Sequence, residues 1–221
     1  MPNYQKITAK LFHNWLQLLQ NFDINKAAAG TTFSQIVESY SHPNRYYHNL
    51  EHIYHVLEVT QTLKCQTEYC DIKTVQLAGW FHDIVYDTKA KDNEEKSAEY
   101  AVKLLSSLSI PSNVIENVKK LILATKNHQM LNYDINAQIL LDADLAILGS
   151  NPDEYNRYAR AIRQEYIWVP ELEYRAARKQ ILQHFLQRRN IYFTQIMQQV
   201  KETSARNNLN TEIELELKVK G

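Results

Sequence analysis

The residues of this chain that could do chemistry are polar side chains set inside apolar runs. His82 and Asp83 lie within GWFHDIV, Asp144 within ILLDADLAIL, and His48, His52 and His55 cluster in YHNLEHIYHVL. A carboxylate buried without a partner costs several kcal/mol, so such a residue is normally paired or bound to a metal. Two acids and several histidines from separate segments could satisfy one another around one divalent cation. His48 and His52 are four apart and share a helix face if the helix extends through both. His82 and Asp83 are adjacent, offset by about 100° on a helix, and both could reach an ion near the ridge between them. A mixed imidazole and carboxylate set with open positions suits a metal that activates water. Asp142, two residues before Asp144, points about 200° away on a helix and reads as a cap or supporting acid. His55, three after His52, could pair with Glu51 or Glu58 and is expected at the surface or behind the ligands.

Helices must position these residues. Ile7, Leu11, Trp15, Leu18 and Leu19 recur at spacings of three and four, one face of an amphipathic helix. A second helical pattern runs through 31–40, until the turn-formers of SHPNRYYHN interrupt it. The pattern returns from Leu50 to about Leu63. VQLAGWFHDIV, residues 75–85, is apolar enough to be a buried element, with Ala78 and Gly79 permitting close helix packing. KAKDNEEKS is a charged connection into a helix over 94–105. Pro111 opens the next, over 114–125. Residues 139–148 form a further apolar run. Pro152 and two acids open another helix, where acids suit the helix dipole, and VPELEYRAARKQILQHFLQRR begins in the same way. TEIELELKVK alternates like a strand but has no partner strand, so 202–221 reads as a terminal helix or a partly ordered tail.

The order of these motifs resembles a known family. H … HD … D is the signature of the HD superfamily of metal-dependent phosphohydrolases, met here as His52, His82-Asp83 and Asp144. YHNLEHIYHVLEVTQ is similar to the YHN-x-x-H segment of cyclic-nucleotide phosphodiesterases, a distant branch. A smaller bacterial branch of predicted HD phosphohydrolases is closer still. It combines R-x-YHN-x-x-H, FHD-x-VYD, NE-x-x-SA, LLDADL-x-ILG and IR-x-EY, matched here by 45–52, 81–87, 93–98, 140–149 and 162–166. The resemblance covers roughly residues 40–200. It implies an all-α fold: a single HD-domain helical bundle around a metal site, spanning 1–201 with its core motifs in 40–170. It also implies His52, His82, Asp83 and Asp144 as ligands of a divalent ion (Mn, Mg, Co, Zn or Fe), one or two per site. His48 matches the phosphodiesterase histidine that protonates the leaving oxygen, a role suited to imidazole. Glu94 corresponds to a water-orienting base, although an acid at a helix start also serves the dipole. His128 falls where related enzymes supply a substrate-pocket or second-metal residue, or is an exposed histidine at a helix end. Arg45, Lys126 and Arg163 could hold phosphate, or be ordinary solvated cations. Tyr46, Tyr47 and Tyr86 sit inside motifs and are candidates to line the pocket.

The implied activity is hydrolysis of a phosphomonoester or phosphodiester bond in a nucleotide or similar small metabolite. Two readings from other classes stay open: an HD-type di-iron oxygenase, using the same ligands plus extra histidines, and a non-catalytic metal- or nucleotide-binding module. Composition bounds the rest. Among 221 residues, Lys+Arg and Asp+Glu are both 25, so the formal net charge is zero. That gives no electrostatic ground for a nucleic-acid polymer or a membrane surface as the main partner. A hydrophobic fraction of 44% argues against general disorder, and only 4 Gly and 5 Pro favour long helices. Cys65 and Cys70 have no second pair to complete a zinc site and form no disulfide framework, which suits a reducing compartment. With no apolar leader and no run near the roughly 20 residues that span a bilayer, a cytoplasmic protein is expected. Apolar-faced helices at both ends could support a homodimer.

Overall fold

Scarcity of helix breakers and recurring three- and four-residue apolar spacings produce helices throughout. The computed structural model describes residues 2–64, 70–128 and 134–218, and no strand occurs among them. Cys65 lies outside the described residues; Cys70 is a half-buried free thiol. The all-α expectation holds. The chain divides into two compact units, 1–143 and 144–221, with the boundary at the last residue of a helix.

In the first unit the helices are α1 (Pro2–Gln20), α2 (Lys26–Tyr40), α3 (Leu50–Lys64), α4 (Ile72–Phe81), α5 (Asn93–Ser107), α6 (Ser112–Thr125) and α7 (Ile135–Asp144). Side-chain caps set two starts: Asn25 accepts from the Ala28 N–H and Asp71 from the Thr74 N–H. Asn25 places the start of α2 earlier than the apolar pattern alone suggested. Leu11, Trp15, Leu18 and Leu19 form the buried face of α1. Trp15 packs edge-on against Trp80 and Phe81 of α4, at 5.3 and 6.0 Å between centroids, a preferred aromatic geometry. Its indole N–H donates to Ala29 O at 3.0 Å, so the ring is buried with its polar atom satisfied. Helices α3 and α4 approach closely at Gly79, where a Cβ would lie 3.3 Å from Val56 Cγ1. Of the two small residues expected to permit close packing, Gly79 does so.

The second unit holds a 3-10 turn (Leu145–Gly149), α8 (Pro152–Glu165), α9 (Glu171–Gln187), α10 (Gln195–Val200) and α11 (Glu202–Lys218). Asn151 caps α8 by accepting from the Glu154 N–H, with Pro152 in the first turn. The strand-like alternation is helical over 211–218, with the rest of it outside the described residues: Arg178 of α9, buried, donates to both carboxylate oxygens of Glu212 at 2.8 and 3.1 Å. Asn208 of the same helix donates to the carbonyls of Leu148 and Ser150. Gly149 ends the 3-10 turn where only glycine fits, since a Cβ would fall 2.8 Å from Lys201 O and from the Tyr192 hydroxyl. Among the described residues no helix is long and apolar enough to cross a membrane.

Candidate metal centre

Three separate chain segments bring donor atoms together. His52 lies on the buried face of α3, within the first turn of the helix, which begins at Leu50. His48 sits in the turn before that helix, not on it, because the 41–49 segment is irregular. Helix α4 stops at Phe81. His82 is its C-cap, and Asp83 lies in the following turn, where Ile84 N donates to Phe81 O. Asp144 is the last residue of α7.

One ligand atom from each of His52, His82, Asp83 and Asp144 lies within 4.8 Å of the others. His52 Nε2 is 3.1 Å from His82 Nε2, and these nitrogens lie 3.4 and 3.2 Å from Asp83 Oδ2. Both imidazoles are buried, while Asp83 is 17% exposed and so gives the cluster an open side. Burial alone would push the Asp83 carboxyl up. The imidazoles of His82 and His48, with hydrogen bonds from His52 and His82, outweigh it and hold the group well below the usual carboxylate range. Asp83 is therefore an anion at neutral pH.

The donor set fits a divalent cation. His82 Nδ1 lies 3.0 Å from Gly79 O. A carbonyl only accepts, so Nδ1 carries a proton, and Nε2, which faces the cluster, is the atom that would bind an ion on losing its own proton. A backbone carbonyl that fixes the tautomer in this way is a recurring support behind metal-ligating histidines. Two imidazole nitrogens converging on an ionised carboxylate, with a second carboxylate in reach, suit a borderline divalent metal.

The other expected residues divide. His48 joins the cluster, with Nε2 4.0 Å from Asp83 Oδ2. Its ring stacks on Tyr86 at 4.2 Å and 30°, and meets Tyr47 edge-on at 5.0 Å. Arg45 donates to the carbonyls of His48, Asp83 and Ile84. Glu94 is half-buried in the first turn of α5, and its neighbour Glu95 pairs with Lys126, the C-cap of α6. His128 follows at a positive φ of 45°, its N–H donating to Thr125 O. Arg163 binds within the second unit, to Glu171 and to the carbonyls of Tyr166 and Val169. His55 is exposed, and Asp142 is fully buried outside the quartet.

Sequence reasoning missed the residues that hold the HD turn. Buried Ser97 accepts from the Val85 N–H at 3.1 Å and donates to Val85 O at 3.2 Å. Asn93 does the same for Asp87, accepting from its N–H at 3.0 Å and donating to its carbonyl at 2.9 Å. The signal was present: Asn93 and Ser97 are four apart, on one face of α5.

Among the described residues the fold is all-helical, and it gathers His and Asp donors that could hold a metal ion near helix ends. The family model of the HD domain matches residues 49–147, which contain all four donors. No curated protein matches the sequence.

Proposed function

We propose that this protein is a metal-dependent phosphohydrolase acting on a phosphomonoester or phosphodiester bond of a nucleotide or similar small metabolite. The observation that carries the reading is the convergence of His52, His82, Asp83 and Asp144 within 4.8 Å, on the HD domain. These four side chains would hold the ion. A divalent metal there supplies Lewis acidity and lowers the pKa of water, which makes a nucleophile available at neutral pH.

The chain's own residues do the rest. His82, fixed by Gly79 O, and His52 keep their donor atoms aimed at one point, so little reorganisation is needed on binding. The water oxygen forms its bond to phosphorus while the bond to the leaving oxygen breaks. His48, protonated, gives the leaving alkoxide its proton. The side chain is 19% exposed and can recover a proton from solvent. Glu94 is assigned as acceptor of the proton the water loses. Lys126 and His128, at the end of α6, are the candidates for contact with the phosphoryl oxygens.

The test is metal analysis with a phosphate-release screen over nucleotides and simple esters, with Mn, Co, Mg or Fe added. Wild-type protein is expected to bind metal and release phosphate. The Asp83→Ala variant is expected to lose both together, with turnover down by more than about 100-fold, since even partners behind a ligand cost about 10- to 100-fold. Bound iron with oxygen consumption and no phosphate release would overturn the hydrolase in favour of an oxygenase.

A further inference from the structure

Arg45 lies three residues before His48 and donates directly to the backbone of a candidate ligand, Asp83. Its Nη1 donates to His48 O at 2.9 Å and Asp83 O at 2.7 Å, and its Nη2 to Ile84 O at 2.8 Å. The guanidinium carbon lies 4.8 Å from the centroid of the Tyr40 ring and 5.5 Å from that of Tyr86. A residue that holds phosphate turns a fork of N–H groups toward the ligand. Here both terminal nitrogens are turned to main-chain oxygens, and two aromatic rings lie against the plane.

We infer that Arg45 is a positioning residue of the metal centre, a staple between the turn that carries His48 and the turn that carries Asp83, and not a phosphate ligand. The inference rests on the metal-dependent reading above. These turns lie outside helices, so their carbonyls lack the partners a helix provides and need donors from elsewhere. Three acceptors from two turns demand a rigid planar donor. Arginine supplies it, whereas lysine concentrates its three protons on one nitrogen. The staple acts on both sides of the chemistry. It fixes the backbone of Asp83, a ligand, and that of His48, whose ring must face the same carboxylate. The side chain of Tyr40 completes the frame, since its hydroxyl donates to Trp80 O, two residues before His82.

The test uses the full chain, with Mn2+ affinity by calorimetry, the visible spectrum of bound Co2+, and inorganic phosphate titrated into the Mn2+-loaded protein. Arg45→Ala is expected to weaken Mn2+ binding about 10- to 100-fold and to shift the Co2+ spectrum. Arg45→Lys is expected not to restore either. Millimolar ethylguanidinium added to Arg45→Ala is expected to recover part of the affinity, which a general loss of stability would not permit. Should Arg45→Ala fail to fold, the Arg45→Lys comparison carries the same contrast. Unchanged Mn2+ affinity and spectrum, with phosphate binding alone weakened, would overturn the inference and make Arg45 a phosphate ligand. A wild type that binds Mn2+ while every variant binds it equally would overturn the Arg45 role alone. A wild type that takes up no Mn2+ would remove the metal centre itself, and the staple with it.

Discussion

His48 separates binding from chemistry at the level of single residues. Its Nε2 lies 4.0 Å from Asp83 Oδ2, against 3.2 and 3.4 Å for the two buried imidazoles. It stands beside the donor quartet and not in it. Stacking on Tyr86 and the edge of Tyr47 fix its ring, so its orientation does not depend on a metal. Replacing His48 with Ala is therefore expected to leave metal content intact and to lower turnover by roughly 10²- to 10⁴-fold, the usual worth of a general acid. The loss should be large for alkyl phosphates and small for nitrophenyl phosphates, whose leaving oxygen needs no proton. Equal losses on both would remove the acid role, and lost metal would move His48 among the ligands. The ligand candidates were legible in the sequence because buried acids and imidazoles demand partners. The duty of Arg45 was not, because an arginine on a main-chain carbonyl and one on a phosphate look the same in a string of letters.

Helices α3 and α4 place the histidines, but the site is made where helices stop. Periodicity identified these helices well: the expected 50–63 and the apolar run from 75 appear as Leu50–Lys64 and Ile72–Phe81. A shared face for His48 and His52 required the helix to reach back to His48, and the apolar run continued past Asp83; both residues lie in turns. The difference has a local cause. Arg45 takes the carbonyls of Asp83 and Ile84, and Ser97 takes both polar groups of Val85, so tertiary contacts outcompete another helical turn. Such contacts join residues 12 to 39 positions apart, beyond any local pattern. The latch by α5 has a measurable consequence. With Val85 and Asp87 both held by α5, the ring of Tyr86 between them stacks on His48. Ser97→Ala leaves the Val85 N–H and carbonyl without that partner in a partly buried place, at a cost of about 1–3 kcal/mol. A lowered denaturation midpoint together with weakened Mn2+ binding is the expected result. A variant as stable as wild type would show that water replaces the hydroxyl and that the latch is dispensable.

At the scale of the whole molecule, stability at alkaline pH depends on a polar cluster in the second unit. Arg178 holds both oxygens of Glu212, and the Tyr155 hydroxyl donates to Glu212 at 2.5 Å. Tyr158 accepts from Arg178 at 3.1 Å. Burial, and then the Glu212 charge, push the Tyr155 phenol far above its ordinary value of 10.0. Burial pushes Tyr174 up to about 12. Folded tyrosines thus keep protons that the unfolded chain releases from about pH 10. Each raised phenol contributes stability that is complete below that pH and is lost as pH rises, for Tyr174 through about 12. Neutral and mildly alkaline solutions should give the same urea midpoint, and the midpoint should then fall steeply above pH 10. Tyr155→Phe removes a phenol that is 2% exposed and donates to a carboxylate. It should cost about 1.5–3 kcal/mol near neutral pH and, having no proton to lose, should flatten the alkaline fall. An unchanged slope in Tyr155→Phe would place the alkaline sensitivity elsewhere. An undiminished neutral midpoint would mean that Arg178 alone satisfies Glu212. Because the buried guanidinium stays charged throughout this range, its own pKa being raised well above the ordinary arginine value, the phenols and not the arginine are the groups of this cluster expected to titrate.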